Sequence, residues 1–272
     1  MTTTATRTRV VSTDGTEIAV FVSGAGRPLV VVPGTTSDHT TWRRVLPLLE
    51  SRATVYAVDR RGRGDSGDRL PYALEKEYDD IAAVVDAAAT DAGMSVDLMG
   101  HSYGGNVAFG AALRTASLRR LVLYEGWPVP NIAHRTFPPR LLRRLDGLLG
   151  AGRPERMLEV FYRDVVQMSE AEIDALEATP TWPARVAAAA TVPRECRAFG
   201  RQAFDPARAA EIAVPVLLLV GADSPPEIKA DPEVVAAALP DARMDVLEGQ
   251  MHMAHLGDPE TFATHVLEFL GD

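Results

Sequence analysis

The sequence predicts an α/β fold: a mostly parallel sheet flanked by helices, with a helical insertion late in the chain. Three observations carry this. Short apolar runs at 28–32, 53–58, 96–99, 120–124 and 214–220 alternate with helical patterns over short connections, the rhythm of a parallel sheet covered on both faces. These runs end in polar or glycine-rich loops, where open parallel sheets gather their ligand chemistry. The alternation breaks once, between 126 and 213, where helical patterns follow one another with no apolar strand run.

Each element follows in order. Residues 9–23 read as two short strands around Asp14-Gly15, a pair that supplies the positive φ angles of a tight hairpin. The run 28–32 is continuous and reads as a strand buried on both faces, ending at Pro33-Gly34-Thr35-Thr36. Residues 42–49 form an amphipathic helical pattern. The next buried strand, 53–58, stops at the polar loop 59–66, Asp-Arg-Arg-Gly-Arg-Gly-Asp-Ser. Helical spacing over 75–92 puts Tyr78, Ile81, Val84 and Val85 on one face. A short strand, 96–99, runs into Gly100-His101-Ser102-Tyr103-Gly104-Gly105, then a small, apolar helix at 106–114 and a strand at 120–124.

The insertion opens proline-rich, with Pro128, Pro130, Pro138 and Pro139, and carries helical patterns at 141–149, 157–166 and 184–190. Ser169 with Glu172 is a capping box. At fewer than about 90 residues, the insertion is expected to lie against the sheet rather than stand alone. The division expected is a core of 1–125 and 213–272, and a helical cap of 126–212. The rhythm resumes at 214–220, which runs into Gly221-Ala222-Asp223-Ser224. A helix at 232–239, an alternating strand at 242–248 near the sheet edge, the loop Gly249-Gln250-Met251-His252 and an amphipathic helix at 259–270 close the chain.

Composition narrows the function. The 272 residues are 46% hydrophobic and 24% charged, with a net charge of −9. That balance argues against nucleic-acid binding, which needs basic patches to displace counterions. Cys196 is the one cysteine, so no intrachain disulfide and no cysteine-based zinc site is expected. Residues 1–9 lack an apolar secretory region, and no run approaches about 18 apolar residues, so a cytoplasmic chain with no membrane partner is expected.

The chemistry gathers around Gly100-His101-Ser102-Tyr103-Gly104. A G-x-S-x-G sequence between a buried strand and a helix forms a sharp turn that lifts the serine above the sheet. The helix N-terminus behind it favours developing negative charge. A serine hydroxyl needs a base, and His252, between the last strand and last helix, lies at the right place in chain order. His255 competes for that role. His39 and His134 lie on loops elsewhere, His265 sits inside the last helix, and His101 is expected to point away from the serine's face. His252 and His255 lack the Glu of an H-E-x-x-H metal motif, so no metal is expected. The base needs an acid to hold its tautomer. Asp223, directly after the strand 214–220, is the first choice, and Glu125, after the strand 120–124, is its rival. Oxyanion donors are expected from the amides of Thr35 and Tyr103, with the Thr35 and Thr36 hydroxyls either adding a donor or satisfying the turn. The loop 59–66 lacks the lysine of a phosphate loop and reads as a structural loop with internal ion pairs.

Together these residues resemble the α/β-hydrolase superfamily. The resemblance spans nearly the whole chain, through the Pro33-Gly34 loop, the 59–66 loop, Gly100 to Gly105, Gly221-Ala222-Asp223 and Gly249 to His252. It implies an eight-stranded, mostly parallel sheet, a helical cap after strand six, and a Ser–His–Asp site needing no cofactor. Carried over, Ser102 is the nucleophile, His252 the base, Asp223 the acid, and Thr35 and Tyr103 the oxyanion donors. Many members have His-Gly where this chain has Pro33-Gly34. In many the acid also falls three residues after the strand-seven glycine, against two here. With serine rather than aspartate at 102, haloalkane dehalogenase and epoxide hydrolase chemistry are disfavoured.

Trp127, Phe137, Phe161, Tyr162 and Trp182 of the insertion either line an apolar pocket over Ser102 or glue the insertion to the core. Thr36, Trp127, Phe161 and Met253 are the substrate contacts expected. The expected partner is a small-molecule substrate, with a homodimer open as the assembly. The reading is hydrolysis of a small or medium apolar carboxylic ester or lactone through an acyl-enzyme. C–C cleavage, thioester hydrolysis and perhydrolysis use the same triad, and a non-hydrolytic cyclase, lyase or ligand-binding protein uses the same pocket.

Overall fold

The computed structural model describes residues 5–131, 133 and 136–271. His134 lies outside them. Among the described residues eight strands form one sheet: β1 (Thr6–Val11), β2 (Glu17–Gly24), β3 (Arg27–Val32), β4 (Ala53–Val58), β5 (Val96–His101), β6 (Leu118–Tyr124), β7 (Val216–Gly221) and β8 (Ala242–Leu247). Their order is β1-β2-β4-β3-β5-β6-β7-β8. β2 runs antiparallel to β1 and β4, and the remaining neighbours are parallel.

Sequence explains the placement. The continuous apolar strands β5 and β7 are buried throughout, and β3 is buried from Pro28 onward. β8, which alternates, is the edge, and Met244 and Val246 face outward there. The β1–β2 connection is looser than the two-residue turn expected. Ser12 N–H donates to the Thr16 carbonyl at 2.8 Å and only Gly15 takes a positive φ, of 80°. Residues 42–49 do not form one helix. A 3-10 turn, His39–Arg44, gives way to a single turn, Leu46–Leu49, because Pro47 fits the first turn of a helix and not its interior.

Two cores flank the sheet. Helices Leu74–Ala92 and Tyr103–Ala112 cover one face, with Ile81, Val84 and Val107 packed among Val32, Leu98 and Leu123. The closing helix Pro259–Gly271 covers the other, where Phe262 and Val266 join Trp42 and Leu49 over Val31, Met99 and Leu219. Each such apolar side chain contributes about 1.5–3 kcal/mol on burial.

Between β6 and β7 the described helices include Pro139–Gly150, Pro154–Asp164, Glu170–Glu177, Trp182–Ala188 and Val192–Phe199. They bury a third cluster of their own around Leu145, Met157, Leu158 and Ile173. The capping box forms as expected, with both Ser169–Glu172 bonds present. Helix Val192–Phe199 was not anticipated, because at eight residues, with Pro193 at its start, it is too short to display a clear helical period. No helix among the described residues is long and apolar enough to cross a membrane.

Candidate active site

β5 passes to helix Tyr103–Ala112 through one residue, Ser102, at φ 55° and ψ −128°. A non-glycine residue there stores about 1–3 kcal/mol of strain. The turn is held by Ser102 N–H donating to the Tyr124 carbonyl at 2.9 Å. Two close approaches demand glycine. A Cβ on Gly104 would stand 2.4 Å from the Pro33 carbonyl oxygen, and one on Gly126 would stand 2.0 Å from that of Ser102.

His252 lies in the loop after β8. Its Nδ1 donates to Glu125 Oε2 at 2.7 Å. An ionised carboxylate only accepts, so this bond assigns the proton to Nδ1 and leaves the Nε2 lone pair free. Glu125 Oε1 accepts the Gly221 amide at 2.8 Å. The glutamate is 5% exposed and turns back beneath His252 at φ 41°.

The carboxylate at His252 is therefore Glu125, and the expectation of Asp223 is corrected. Asp223 is exposed, and its amide donates to the Gln250 carbonyl at 3.0 Å. Ala222 N–H bonds to Leu247 O at 3.0 Å and Ser224 N–H to Gly221 O at 3.2 Å. The short loop after β7 thus stays laced to the loop after β8, and Asp223 is held at the rim. β6 lies next to β5, one strand nearer the serine, and delivers its carboxylate directly.

The other histidines separate cleanly. His101 faces the backbone of His252, donating from Nε2 to its carbonyl at 2.8 Å. Tyr124 assists, its hydroxyl donating to Met251 O and accepting the Ala254 amide at 3.1 Å. Burial, then the neighbouring His255 and His252, push His101 well below the ordinary histidine range, so it is neutral. His255 is fully buried against Trp42, with Nε2 3.4 Å from Thr41 Oγ1. Burial, then Arg185, push it down likewise. His265 pairs with Asp245 at 3.0 Å. His39 pairs with Asp59 at 2.7 Å. Asp38, His39 and Asp59 bring ligand-type atoms within 4.8 Å of one another. Those groups bind protein instead: Asp59 holds His39 and the Asp65 amide, and Asp38 caps Thr40.

Ser102 and His252 line one cavity of about 250 Å³ with Thr35, Tyr103, Trp127 and Phe161. The amides of Thr35 and Tyr103 are not taken up by other groups among the described residues. Phe137 also lines the cavity, whereas Tyr162 and Trp182 pack with each other, ring centres 6.3 Å apart. Cys196 lines it too, but burial pushes its thiol up to about 12, so it is no nucleophile near neutrality. Thr36, expected as a substrate contact, does not line this cavity. It is 1% exposed, and its hydroxyl shares a 2.7 Å bond with Tyr162. Met253 lies in a neighbouring cavity, not in this one.

Two features escaped the sequence. The arginines of loop 59–66 pair outward, not internally. Arg60 meets Glu77 at 2.7 Å and Glu195 at 3.2 Å, Arg61 meets Asp80 at 2.7 Å, and Arg63 meets Glu195. Arg60 lies 4.7 Å over the Tyr103 ring and donates to Pro33 O at 3.4 Å, and Arg63 donates to Gly34 O at 3.4 Å. The loop thus braces both expected oxyanion donors. Burial opposes charge on Glu77, but Arg60 outweighs it and holds the carboxyl low. The second feature is Arg185, 2% exposed. It donates from Nη1 to Ser37 Oγ at 2.8 Å, Thr36 Oγ1 at 3.1 Å and Tyr162 Oη at 3.2 Å, and from Nη2 to Thr41 Oγ1 at 3.3 Å. Its partners among the described residues are hydroxyls, not carboxylates. An arginine in a short helix carries no sequence sign of such burial.

The fold has counterparts among known proteins. A profile described as the alpha/beta hydrolase family matches residues 29–265. This chain belongs to the alpha/beta hydrolase family. The crystal structure of an alpha/beta hydrolase from Sphaerobacter thermophilus is 34% identical, with a TM-score of 0.84 over 97% of this chain and 100% of that one. A putative carbamate hydrolase, RutD, from Azorhizobium caulinodans is 28% identical over 92% of this alpha/beta hydrolase and 94% of its own length. An N-formylmaleamate deformylase from Pseudomonas putida is 38% identical over 128 residues, a match that spans 46% of each chain. The structure of the esterase RhEst1 from Rhodococcus, 23% identical with a TM-score of 0.76 over 98% of each chain, shares the fold.

Proposed function

We propose that this alpha/beta hydrolase cleaves a small or medium apolar carboxylic ester or lactone through an acyl-enzyme, with Ser102 as nucleophile, His252 as base and Glu125 as acid. One observation carries the reading: the 2.7 Å bond from His252 to Glu125, beside a strained serine lining the same cavity. His252 Nε2 takes the Ser102 proton as Oγ attacks the carbonyl carbon. The oxygen charge that develops is met by the Thr35 and Tyr103 amides. Glu125 stays ionised and steadies the imidazolium. The tetrahedral intermediate expels the alcohol, which takes its proton from His252, and water then repeats the sequence to release the acid. Residues 126–212 serve as the cap, with Trp127 and Phe161 supplying an apolar wall for the acyl group. Relatives named esterase, deformylase and carbamate hydrolase are consistent with attack on a carbonyl carbon.

The test is intact mass after a fluorophosphonate probe, wild type beside Ser102→Ala. A single adduct on the wild type and none on the variant is expected. A folded wild type that gains no adduct from either this probe or a smaller sulfonyl fluoride overturns the reading.

A further inference from the structure

His252 lines a second cavity, of about 410 Å³, in whose wall Ser102 takes no part. The two cavities meet at Val166, Gln167 and His252, which belong to both walls. Much of the second is apolar, with Met168, Leu176, Met251 and Met253 among its residues, and it also holds Arg43 and Arg44. Arg43 Nη1 is buried with no hydrogen-bond partner among the described residues. Arg44, which is exposed, donates to the Leu256 carbonyl. Neither arginine has a carboxylate partner among the described residues. The acid in this wall, Glu172, is already engaged, its Oε2 accepting the Ser169 amide at 2.7 Å and the Ser169 hydroxyl at 2.6 Å. Burial, then repulsion from Arg185 and Arg44, hold Arg43 below its ordinary value. In a chain of net charge −9, this wall sets two arginines against one acid, Glu172, which pairs with Ser169 and with neither arginine. A guanidinium withdrawn from water without a counter-charge is costly, and an entering anion relieves that cost.

Reaction chemistry says what enters. A base that gives its proton to the departing oxygen must touch the departing group. The acyl half lies with Ser102, Thr35 and Tyr103 in the first cavity, which leaves the space beyond His252 for the other half. We infer that the second cavity is a leaving-group subsite for an alcohol that carries a carboxylate, received by Arg43 and Arg44. This rests on the serine-hydrolase reading above. The planar arginine fork matches a carboxylate. In the step, the acyl carbon–oxygen bond breaks, its electron pair stays on the departing oxygen, and that oxygen takes the Nε2 proton. The remote carboxylate is unchanged.

Calorimetry on Ser102→Ala protein tests the subsite without turnover. 4-Hydroxybenzoate is expected to bind about tenfold or more tightly than its neutral methyl ester. Adding Arg43→Gln, or separately Arg44→Gln on its exposed side chain, is expected to erase most of that difference. Equal binding of the two phenols, no binding of 4-hydroxybenzoate, or a preference indifferent to both substitutions overturns the inference. A kinetic arm compares butyryl esters of the same two phenols on the active enzyme. The kcat/KM ratio is expected to favour the carboxylate by about tenfold and to fall towards one in Arg43→Gln. If neither ester turns over and no fluorophosphonate adduct forms, the hydrolase reading has failed. The calorimetric result then decides the anion subsite separately.

Discussion

Glu125 Oε2 receives the Nδ1 proton of His252 at 2.7 Å, so the carboxylate of this site comes from the sixth strand, and Gly221 of the seventh only steadies it. The two candidate acids can be separated directly. Glu125→Gln keeps the shape and loses the charge, and kcat on an activated ester is expected to fall by about 10³–10⁴. Asp223→Asn, on an exposed side chain, is expected to leave kcat within about twofold. The reverse ranking in steady-state kinetics would return the role to Asp223.

Arg185 holds the turn that carries Thr35 and Thr36, through bonds to the Thr36 and Ser37 hydroxyls. Arg185→Gln is expected to lower kcat about tenfold or more with KM little changed, because the turn serves the transition state. Arg185→Lys is expected to restore little, since an ammonium cannot reproduce the fork. A fall in melting temperature with kcat spared would make the residue structural only.

Acid should weaken the fold through His101 and His255. Burial, foremost, holds both well below the ordinary histidine value of about 6.5. The unfolded chain then binds protons that the folded chain refuses, so stability is present above about 6.5 and is lost as pH falls below it. His39 works in the opposite sense. Burial would lower it, but Asp59 outweighs burial and raises it. Its contribution is full below 6.5 and is lost as pH rises through its folded value. Denaturation midpoints at pH 5 and 7.5 are expected to be lower at pH 5, with a smaller gap in His255→Phe. An unchanged gap in that variant would remove His255 from the account.

Glu195 is 1% exposed between Arg60 and Arg63. Glu195→Ala leaves Arg63 without its carboxylate partner and weakens the neutralisation of Arg60, and is expected to cost about 3–5 kcal/mol in urea unfolding. A loss under about 1 kcal/mol would show that water reaches these guanidinium groups.

Gly126→Ala sets a Cβ 2.0 Å from the Ser102 carbonyl oxygen. Displacing the elbow by about 1 Å is expected to cost about 10²-fold in kcat. A variant of wild-type rate would mean that the turn tolerates the shift.

Much of this was legible in advance because buried parallel strands are written as uninterrupted apolar runs, and the elbow as glycines around Ser102. Strands 53–58 and β8, the capping box at Ser169 and the closing helix appear close to where patterning puts them. The acid was not legible, because Asp223 and Glu125 both follow strands, and the lacing that holds Asp223 at the rim is made of backbone bonds. Arg185 and the Arg60–Glu195 pair were hidden for another reason. A charge that will be buried against a distant partner looks in sequence like a charge bound for solvent.

The inserted helices touch the catalytic floor through charge and hydroxyls as well as through grease: Glu195 grips Arg60 and Arg63, and Arg185 grips the turn beside Thr35. A roof riveted at two such points does not swing like a door, because lifting it strips buried guanidinium groups of their partners at once. Passage to and from Ser102 is therefore expected to leave these inserted helices in place.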